Sequence, residues 1–454
     1  MDYQKLVDWV SRAGNIVWGT PTVIGLMGIG AVLTVQNGFL QFRQIRLWLG
    51  ATLGQLVRPH RTDGITRVQA LATALAGTMG TGNLIGVAIA LSMGGPGAVF
   101  WMWASAAVGM MIKYGETVLA VKYRRRTDAG WSGGTMEVLE DVLHWPWLAT
   151  LFAAGCVLAS FGMGNMAQAN AISQAMRGAF GLPEAGCGVI CAGLTAAVIC
   201  GGLKRISAVA EKLIPLLSLA YGIGGILVIL THANRILPAF GAIFSGAFAP
   251  QAAVGGLTGS GIAAAMRHGF ANGIFSNEAG LGSSAMAYAA ADDAQPVAQG
   301  FWAIFEVFAD TFVVCTVTAL AILTSGTPPQ AGADWVMAAF STCFGQIGGQ
   351  FVALAIALFA FASMLGWAYY GIRGFTRLGG SVRAYQILFV LAAFAGCVAR
   401  LELVWNLSEL FNAGMALPNL IAVVRLAPVI RSETRAALRA PQKTRSVDFC
   451  PKKA

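Results

Sequence analysis

Residues 77–83 read GTMGTGN and interrupt the apolar segment VQALATALAGTMGTGNLIGVAIALSMGG of residues 68–95. The segment is long enough to cross a bilayer, which takes about 20 helical residues. Glycine, threonine and asparagine at its centre predict a break in the helix. Non-helical backbone at membrane depth is tolerated only where it faces protein or a water-filled cavity. The stretch therefore predicts a membrane helix broken for a functional reason, and close packing of small residues is the alternative interpretation.

The composition of the whole chain excludes a water-soluble protein. Of its 454 residues, 56% are hydrophobic and only 11% are charged, against about 25% charged in typical soluble domains. Apolar runs of about 20 residues recur along almost the whole sequence. We predict an all-α polytopic membrane protein with eleven transmembrane helices, at residues 15–37, 68–93, 96–119, 147–174, 186–203, 208–231, 253–291, 297–323, 351–370, 384–399 and 402–424.

The net charge of +10 comes from basic residues in the loops between these spans. Most of them fall in alternate loops, and the basic side of a membrane protein is the cytoplasmic one. The pattern predicts a multi-pass protein of the plasma (inner) membrane, with its N-terminus outside and its C-terminus in the cytoplasm. We expect membrane lipids as partners, because the basic tail suits anionic lipid, and we expect no nucleic acid.

The ten spans after the first divide into two sets of five with opposite orientation, as an inverted-repeat transporter requires. The predicted domains are an N-terminal helix with a basic cytoplasmic linker (1–67), two five-helix repeats (68–231 and 232–424) and a basic cytoplasmic tail (425–454). We number the ten spans after the first as core spans one to ten. Residues 270–283, FANGIFSNEAGLGS, would break core span six as GTMGTGN breaks core span one. Broken helices at matching positions of two halves indicate a transporter's binding site.

Five segments carry a resemblance to a known family. They are GTMGTGNLIGVAIALSMGGPGAVFWMWASAAVGMMIKYGETVLAVKYR, GNMAQAN, GIFSNEAGLGSSAMAYAAA, ASMLGWAYYG and LVWNLSELFNAGMALPNLIAV. From about residue 15 to about residue 430 the chain resembles the alanine or glycine:cation symporters, also called sodium:alanine symporters. The resemblance implies a leucine-transporter-like fold and import of alanine or glycine with sodium by alternating access. Sodium would be a co-transported ion, and we expect no cofactor and no enzymatic activity.

For a substrate with both a carboxylate and an amino group, the two breaks supply opposite partners. Free amides at the start of a half-helix suit a carboxylate, so we expect the backbone after Gly80 to hold it. Carbonyls of core span six would meet the amino group, and Trp367 with Phe275 would wall the side-chain pocket. The predicted substrate-binding residues are Thr78, Gly80, Thr81, Gly82, Asn83, Gln168, Phe275, Ser276, Asn277 and Trp367.

The fold that the resemblance implies also places a sodium site where core span one meets core span eight. The predicted ligands are the carbonyls of Ala76, Met79 and Phe359 together with the hydroxyl of Ser363. In this span the family usually reads FST before a hydrophobic pair and GW, whereas this chain reads FASMLGW. Ala362 therefore removes one potential hydroxyl ligand, and Ser363 takes the place of a threonine.

Several charged residues lie inside the predicted spans, where such residues are rare and functional by default. Glu278 is a candidate either for capping the freed amides or for ion or proton coupling. Glu116, with Lys113 and Lys122, is interpreted as a gate of snorkelling side chains at the inner end of its span. Glu306 and Asp310 share one helix face, which favours gating or structural pairing.

Other function classes remain as alternatives at this point. A proton-coupled carrier, or one for a larger substrate such as glutamine, fits the same pattern. An ion channel fits less well, because channels more often show repeated filter loops. An intramembrane enzyme would need a nucleophile with a base, or a metal-binding His pair, and the sequence has neither motif.

Overall fold

The protein is helical apart from one short hairpin, in a computed structural model that describes residues 20–57, 64–128, 130–248, 261–399 and 402–439, together with Arg12, Gly14 and Val17. The all-α prediction is confirmed. Parts of four predicted regions lie outside the described residues: most of residues 1–19, which include the start of the first span, 58–63 of the linker, 253–260 of the seventh span, and the tail after residue 439.

The first half of the chain runs from the first predicted span to core span five and contains eleven α-helices among the described residues. They are α1 Thr20–Gln36, α2 Leu40–Arg43, α3 Ile45–Val57, α4 Arg67–Thr78, α5 Ile85–Gly94, α6 Gly97–Lys122, α7 Thr135–Glu137, α8 Pro146–Phe161, α9 Ala167–Phe180, α10 Glu184–Ile199 and α11 Gly202–Thr231. Between α6 and α7, β1 (Arg125–Thr127) pairs antiparallel with β2 (Gly130–Ser132).

The second half continues the same all-helical pattern. Its helices are α12 Ile236–Phe248, α13 Ile262–Asn277, α14 Ala285–Ala289, α15 Pro296–Val307, α16 Thr316–Ser325, α17 Ala333–Phe344, α18 Gln346–Arg377, α19 Val382–Val398, α20 Glu402–Arg425 and α21 Ala427–Arg439. Three segments are π-helical: Val138–Val142 follows α7, Gly162–Met166 joins α8 to α9, and Phe308–Cys315 joins α15 to α16.

Several of these helices could cross a membrane. Among the described residues, four continuous helices are long and apolar enough, namely Pro146–Phe180, Gly202–Thr231, Pro296–Ser325 and Gln346–Arg377. The helices α20 and α21 pass the same test together but bend by 60° at their junction. The shorter apolar helices are Pro21–Gln36, Ile85–Gly94, Glu184–Ile199 and Val382–Val398. The count of eleven spans stays a prediction.

The apolar segment that holds GTMGTGN forms two helices, α4 and α5. A capping box starts α4, because Thr66 accepts the Gln69 amide and the Gln69 side chain accepts the Thr66 amide. The helix ends at Thr78, and the backbone at Gly80 is non-helical, with φ −123° and ψ −146°. A single 3₁₀ turn, Thr81–Asn83, leads into α5. Every residue of the break apart from the half-buried Gly82 is buried, so this irregular backbone faces protein.

The second break follows α13 and is longer. Glu278 adopts the left-handed conformation with φ 54°, and Gly280 and Gly282 have φ values of 98° and 72°. A side chain at these glycines would be strained, because only glycine adopts such angles readily. The chain resumes a helix at α14, so the FSNEAG motif of residues 275–280 spans the end of α13 and the start of the break.

The long helix α6 lies at the centre of the packing and contacts α13, α15, α1 and α14. Another long helix, α18, packs against α8, α9 and α4. The segment predicted as a linker contains the helices α2 and α3, and α3 packs against α15 with Trp48 at 5.6 Å from the ring of Phe308. These contacts bring both broken helices together inside the bundle.

Candidate functional site between the two broken helices

The two breaks face each other. A Cβ built on Gly82 would lie 3.4 Å from the Ser276 Cα and 3.8 Å from the Phe275 ring. A side chain at residue 82 would therefore just contact the end of α13, so the first break and this helix end are direct neighbours. The amides that begin α5 and the carbonyls that end α13 share one buried region, which is what recognition of a zwitterion requires.

Side chains from α9 and α18 flank the first break. The Gln168 Oε1 accepts a hydrogen bond from the Thr81 amide at 3.3 Å, and the Ser363 hydroxyl donates to the Gly77 carbonyl at 3.1 Å. A Cβ on Gly80 would meet Ser363 at 3.0 Å and Gln168 at 3.2 Å. Glycine at residue 80 thus allows both polar side chains to reach the break.

The carboxylate of Asp310, in the π-helical segment Phe308–Cys315, joins the two breaks. It accepts hydrogen bonds from Asn83 Nδ2 at 2.6 Å and from the Ser276 hydroxyl at 2.7 Å. Asn83 belongs to the first break and Ser276 to the end of α13. All three side chains are buried, and the Thr311 hydroxyl donates to the same carboxylate at 3.0 Å. Asp310 therefore ties core spans one, six and seven together.

Lys113 of α6 supplies a buried positive charge at the second break. Its Nζ donates to the Asn277 carbonyl at 2.5 Å and to Glu306 Oε1 at 2.9 Å. The side chains of Lys113 and Glu306 are both 0% exposed. Glu306 also accepts from Tyr288 at 2.8 Å and from Thr78 at 3.2 Å. The pair therefore connects the end of α13 to the last residue of α4.

The interpretation of Lys113 as a snorkelling side chain at the inner end of its span is wrong. The lysine lies in the protein interior, whereas Lys122 pairs at the surface with Glu433 of α21, 2.5 Å away. The polar residues at the second break hold Lys113 inside, since its ammonium has both a carbonyl and a carboxylate as partners. Lys113 and Lys122 therefore lie in different surroundings, and a gating role for Glu116 stays a prediction.

The two remaining candidates for coupling or gating both lie at the second break. Glu116 Oε1 accepts from the Gly280 amide at 2.9 Å and from Asn419 Nδ2 at 2.6 Å. Glu278 accepts from the Ser283 hydroxyl at 2.5 Å. Glu116 thus caps a freed amide and links the break to α20, and Glu278 closes a turn within it. These contacts give both carboxylates structural partners. A role of either residue in coupling or gating stays a prediction.

The four residues predicted for sodium are all buried where α4 meets α18. Ser363 lies beside the Gly77 carbonyl and Gly80. A Cβ on Gly366 would lie 3.1 Å from the carbonyl carbon of Ala76, so the two helices are in close contact here. The Phe359 ring packs 6.1 Å from the ring of Tyr221. Among the described residues, no group of three His, Cys, Asp or Glu side chains could hold a metal ion.

The two residues predicted to wall a side-chain pocket have different surroundings. Trp367 is fully buried, packs against Gly164 of the π-helical segment between α8 and α9, and has its ring 5.6 Å from that of Tyr370. Phe275 is half-buried and faces Gly82. Phe275 therefore borders the first break. Trp367 lies beside the junction of α8 and α9, and α9 carries Gln168.

Comparison with known proteins identifies the family. The family model described as the sodium:alanine symporter family matches residues 3–449. The chain belongs to the sodium:alanine symporter family. The resemblance predicted from the sequence is confirmed, and the chain is a membrane transporter of a symporter family and not an enzyme.

Named relatives of this symporter are similar over nearly their whole length. The sodium/alanine symporter AgcS of Methanococcus maripaludis is 40% identical, with 96% of this chain and 97% of the relative covered. The probable sodium/glutamine symporter GlnT of Bacillus subtilis is 35% identical, over 94% of this chain and 90% of the relative. The putative sodium/proton-dependent alanine carrier YrbD of the same organism is 32% identical, over 93% and 90%.

A solved structure shares the fold of this symporter. The manganese transporter of Eremococcus coleocola, in complex with an aromatic bis-isothiourea substituted compound, superposes with a TM-score of 0.50. The match covers 85% of this chain and 90% of the other at 13% sequence identity. At that identity the likeness concerns the fold alone.

Proposed function

We propose that this symporter imports a small neutral amino acid, alanine or glycine, together with sodium by alternating access. The observation that carries the proposal is the meeting of two broken helices, with Gly82 against Ser276 at the centre of the bundle. Breaks of this kind offer amides to an anionic group and carbonyls to a cationic one. Membership of a family of sodium:alanine symporters supports the same function.

The proposed substrate site places the carboxylate on amides at the start of α5. Gln168 already accepts the Thr81 amide, so the amides of Gly82 and Asn83 carry most of this role, with Gln168 beside them. The Asn277 carbonyl already accepts a hydrogen bond from Lys113. The amino group is therefore left to the carbonyls of Phe275 and Ser276.

The proposed sodium site uses the Ser363 hydroxyl with the carbonyls of Ala76, Met79 and Phe359. Carbonyls at the end of α4 are orphaned by the break, and a hard cation prefers such oxygens. The Ser363 hydroxyl lies within hydrogen-bond distance of the Gly77 carbonyl, and Gly77 belongs to the same last turn of α4 as Ala76. This contact supports the placement of Ser363 at the end of α4. Ala362 offers no hydroxyl, so we expect moderate affinity for sodium.

The finer architecture is part of the same proposal. The N-terminal helix, residues 1–67 with their linker, would stand outside two inverted repeats at 68–231 and 232–424, and 425–454 would be cytoplasmic. In this proposal the two breaks, in α4–α5 and α13–α14, would occupy equivalent positions of the two halves. With the basic loops inside, the N-terminus is outside in the plasma membrane.

Uptake by proteoliposomes tests the function. Labelled L-alanine should accumulate under an inward sodium gradient, and glycine should compete better than glutamine. D-alanine tests the enantiomer preference. Uptake driven by a proton gradient alone, or stronger competition by glutamine, would favour the alternatives, and a sodium current without amino acid would favour a channel.

The sodium site has a matched control on another helix. Ser363→Ala should raise the sodium concentration for half-maximal uptake by about tenfold, as expected for one charge-assisted ligand. Ser173→Ala removes a hydroxyl that is equally buried on α9 and should leave the sodium dependence unchanged. Identical sodium curves for Ser363→Ala and the unmodified protein would refute the proposed site.

A further inference from the structure

An apolar groove runs along the outside of the bundle between α1 and α20. It has a volume of about 510 Å³, and its lining includes Gly25 and Ile29 of α1 with Leu417, Ile421 and Val424 of α20. The three α20 side chains are 57%, 43% and 52% exposed. Arg425, also exposed, is the last residue of α20 and belongs to the same groove. A row of apolar side chains thus ends at a positive charge.

Further positive charges follow on α21. This helix turns away from α20 by 60° and packs Ala427, Ile430 and Thr434 against the bundle. Its other face presents Arg431, Arg435 and Arg439, which line a second groove together with Gln36, the last residue of α1. These arginines therefore lie where the apolar helices α1 and α20 end, a position typical of basic residues that meet lipid headgroups.

We propose that the groove between α1 and α20 binds an anionic phospholipid. One acyl chain of the lipid lies against Ile29, Leu417 and Ile421, and its phosphate contacts Arg425. Arg431 is the next basic residue of the polypeptide. The groove is complementary to such a lipid at both ends, since hydrocarbon covers the exposed apolar side chains and the phosphate meets the guanidinium groups. Each basic residue near the membrane surface contributes about 1 kcal/mol to anionic lipid binding. The site is independent of the transported substrate.

Two glycines of α1 provide a matched test of the groove. A Cβ at Gly25, which lines the groove, and a Cβ at Gly28, which does not, would both enter open space. Gly25→Leu therefore fills the groove without displacing protein, and Gly28→Leu adds the same side chain to the same helix elsewhere. Both variants should melt at the same temperature as the unmodified protein in detergent without added lipid.

The experiment titrates purified full-length protein with phosphatidylglycerol or phosphatidylcholine in mixed micelles. Bound lipid is counted by native mass spectrometry and the melting temperature is followed in parallel. Phosphatidylglycerol should stay bound and raise the melting temperature more than phosphatidylcholine does. Gly25→Leu should lose this effect and Gly28→Leu should keep it. Equal retention of phosphatidylglycerol by both variants would show ordinary surrounding lipid and overturn the proposal.

The charge is tested in the same assay. Arg425→Gln should weaken phosphatidylglycerol binding about fivefold, which corresponds to about 1 kcal/mol. Arg383→Gln removes an exposed arginine outside the groove and should change nothing. Glycerophosphate distinguishes a lipid site from a phosphate site. If it raises the melting temperature as phosphatidylglycerol does, the acyl chain has no role and the proposal fails.

Discussion

Lys113 Nζ lies 2.9 Å from Glu306 Oε1, and neither side chain is exposed at all. The ammonium also binds the last carbonyl of α13, and the carboxylate also binds the last side chain of α4. One buried ion pair is thus connected to the broken ends of both helices. Any movement of one break relative to the other must keep this pair satisfied, because an unpaired charge in such a place is costly.

Lys113→Met should destabilise the protein by about 3–5 kcal/mol, because Glu306 would be left as a buried charge without its partner. Lys122→Met is the matched control, since its partner Glu433 is partly exposed and a surface pair contributes about 0–1 kcal/mol. Melting temperatures in detergent check both. Adding Glu306→Gln to Lys113→Met should restore part of the lost stability. Equal melting temperatures for Lys113→Met and Lys122→Met would contradict this account.

Gly80→Ala should impair uptake far more than Gly82→Ala. A Cβ at Gly80 would lie 3.0 Å from Ser363 and 3.2 Å from Gln168, whereas a Cβ at Gly82 would lie at an ordinary 3.4 Å from Ser276. Crowding of this kind costs about 1–3 kcal/mol. Initial rates of alanine uptake at equal amounts of protein measure the difference. The reverse order would show that the approach of Gly82 to α13 matters more than the contacts at Gly80.

Asp310→Asn should reduce uptake by about tenfold or more. The carboxylate accepts hydrogen bonds from Asn83, Ser276 and Thr311, and a hydrogen bond to a charged group contributes about 1.5–3 kcal/mol. An amide would place a donor against one of these donors. The double variant Asn83→Asp with Asp310→Asn exchanges the two groups, so it should recover more uptake than either single variant. Failure to recover would show that the carboxylate is needed at residue 310 itself.

Trp367→Ala should let larger neutral amino acids such as methionine compete for uptake. It should also lower stability by about 3–5 kcal/mol, as removal of a buried indole does. Trp302→Ala is the control, because Trp302 of α15 is equally buried and has no proposed contact with substrate. Both variants should melt earlier, but only the first should change the substrate range. An unchanged range for Trp367→Ala would make this residue purely a packing element.

Much of the fold can be predicted because the bilayer restricts the chain so strongly. Long apolar runs must be helices there, since only helices satisfy all their backbone groups within one segment. The two breaks occur close to their predicted places, because clustered glycine and polar residues at that depth disfavour an unbroken helix. The helices of the predicted linker, α2 and α3, carry no comparable signal, since their 4 and 13 residues fall short of the about 20 that a transmembrane helix takes.

The charged residues show where prediction from the sequence stops. Lys113, Glu306 and Asp310 are visible as charges within apolar spans, which marks them as functional. Their partners lie on other helices, and no local spacing indicates that Lys113 meets the end of α13 or that Asp310 joins Asn83 to Ser276. The sequence pattern accordingly predicts Lys113 at the membrane surface, although it lies in the interior.

Apolar runs, their glycine-rich interruptions and the family motifs were enough to predict an all-helical membrane protein of the sodium:alanine symporter family with irregular backbone at residues 77–83 and near Glu278. Composition, periodicity and motif are local properties, and they suffice for those conclusions. The groups that meet at the breaks could not be predicted in this way. Those contacts join residues far apart in the chain, such as Thr81 with Gln168 and Lys113 with Glu306, and they depend on how the helices pack.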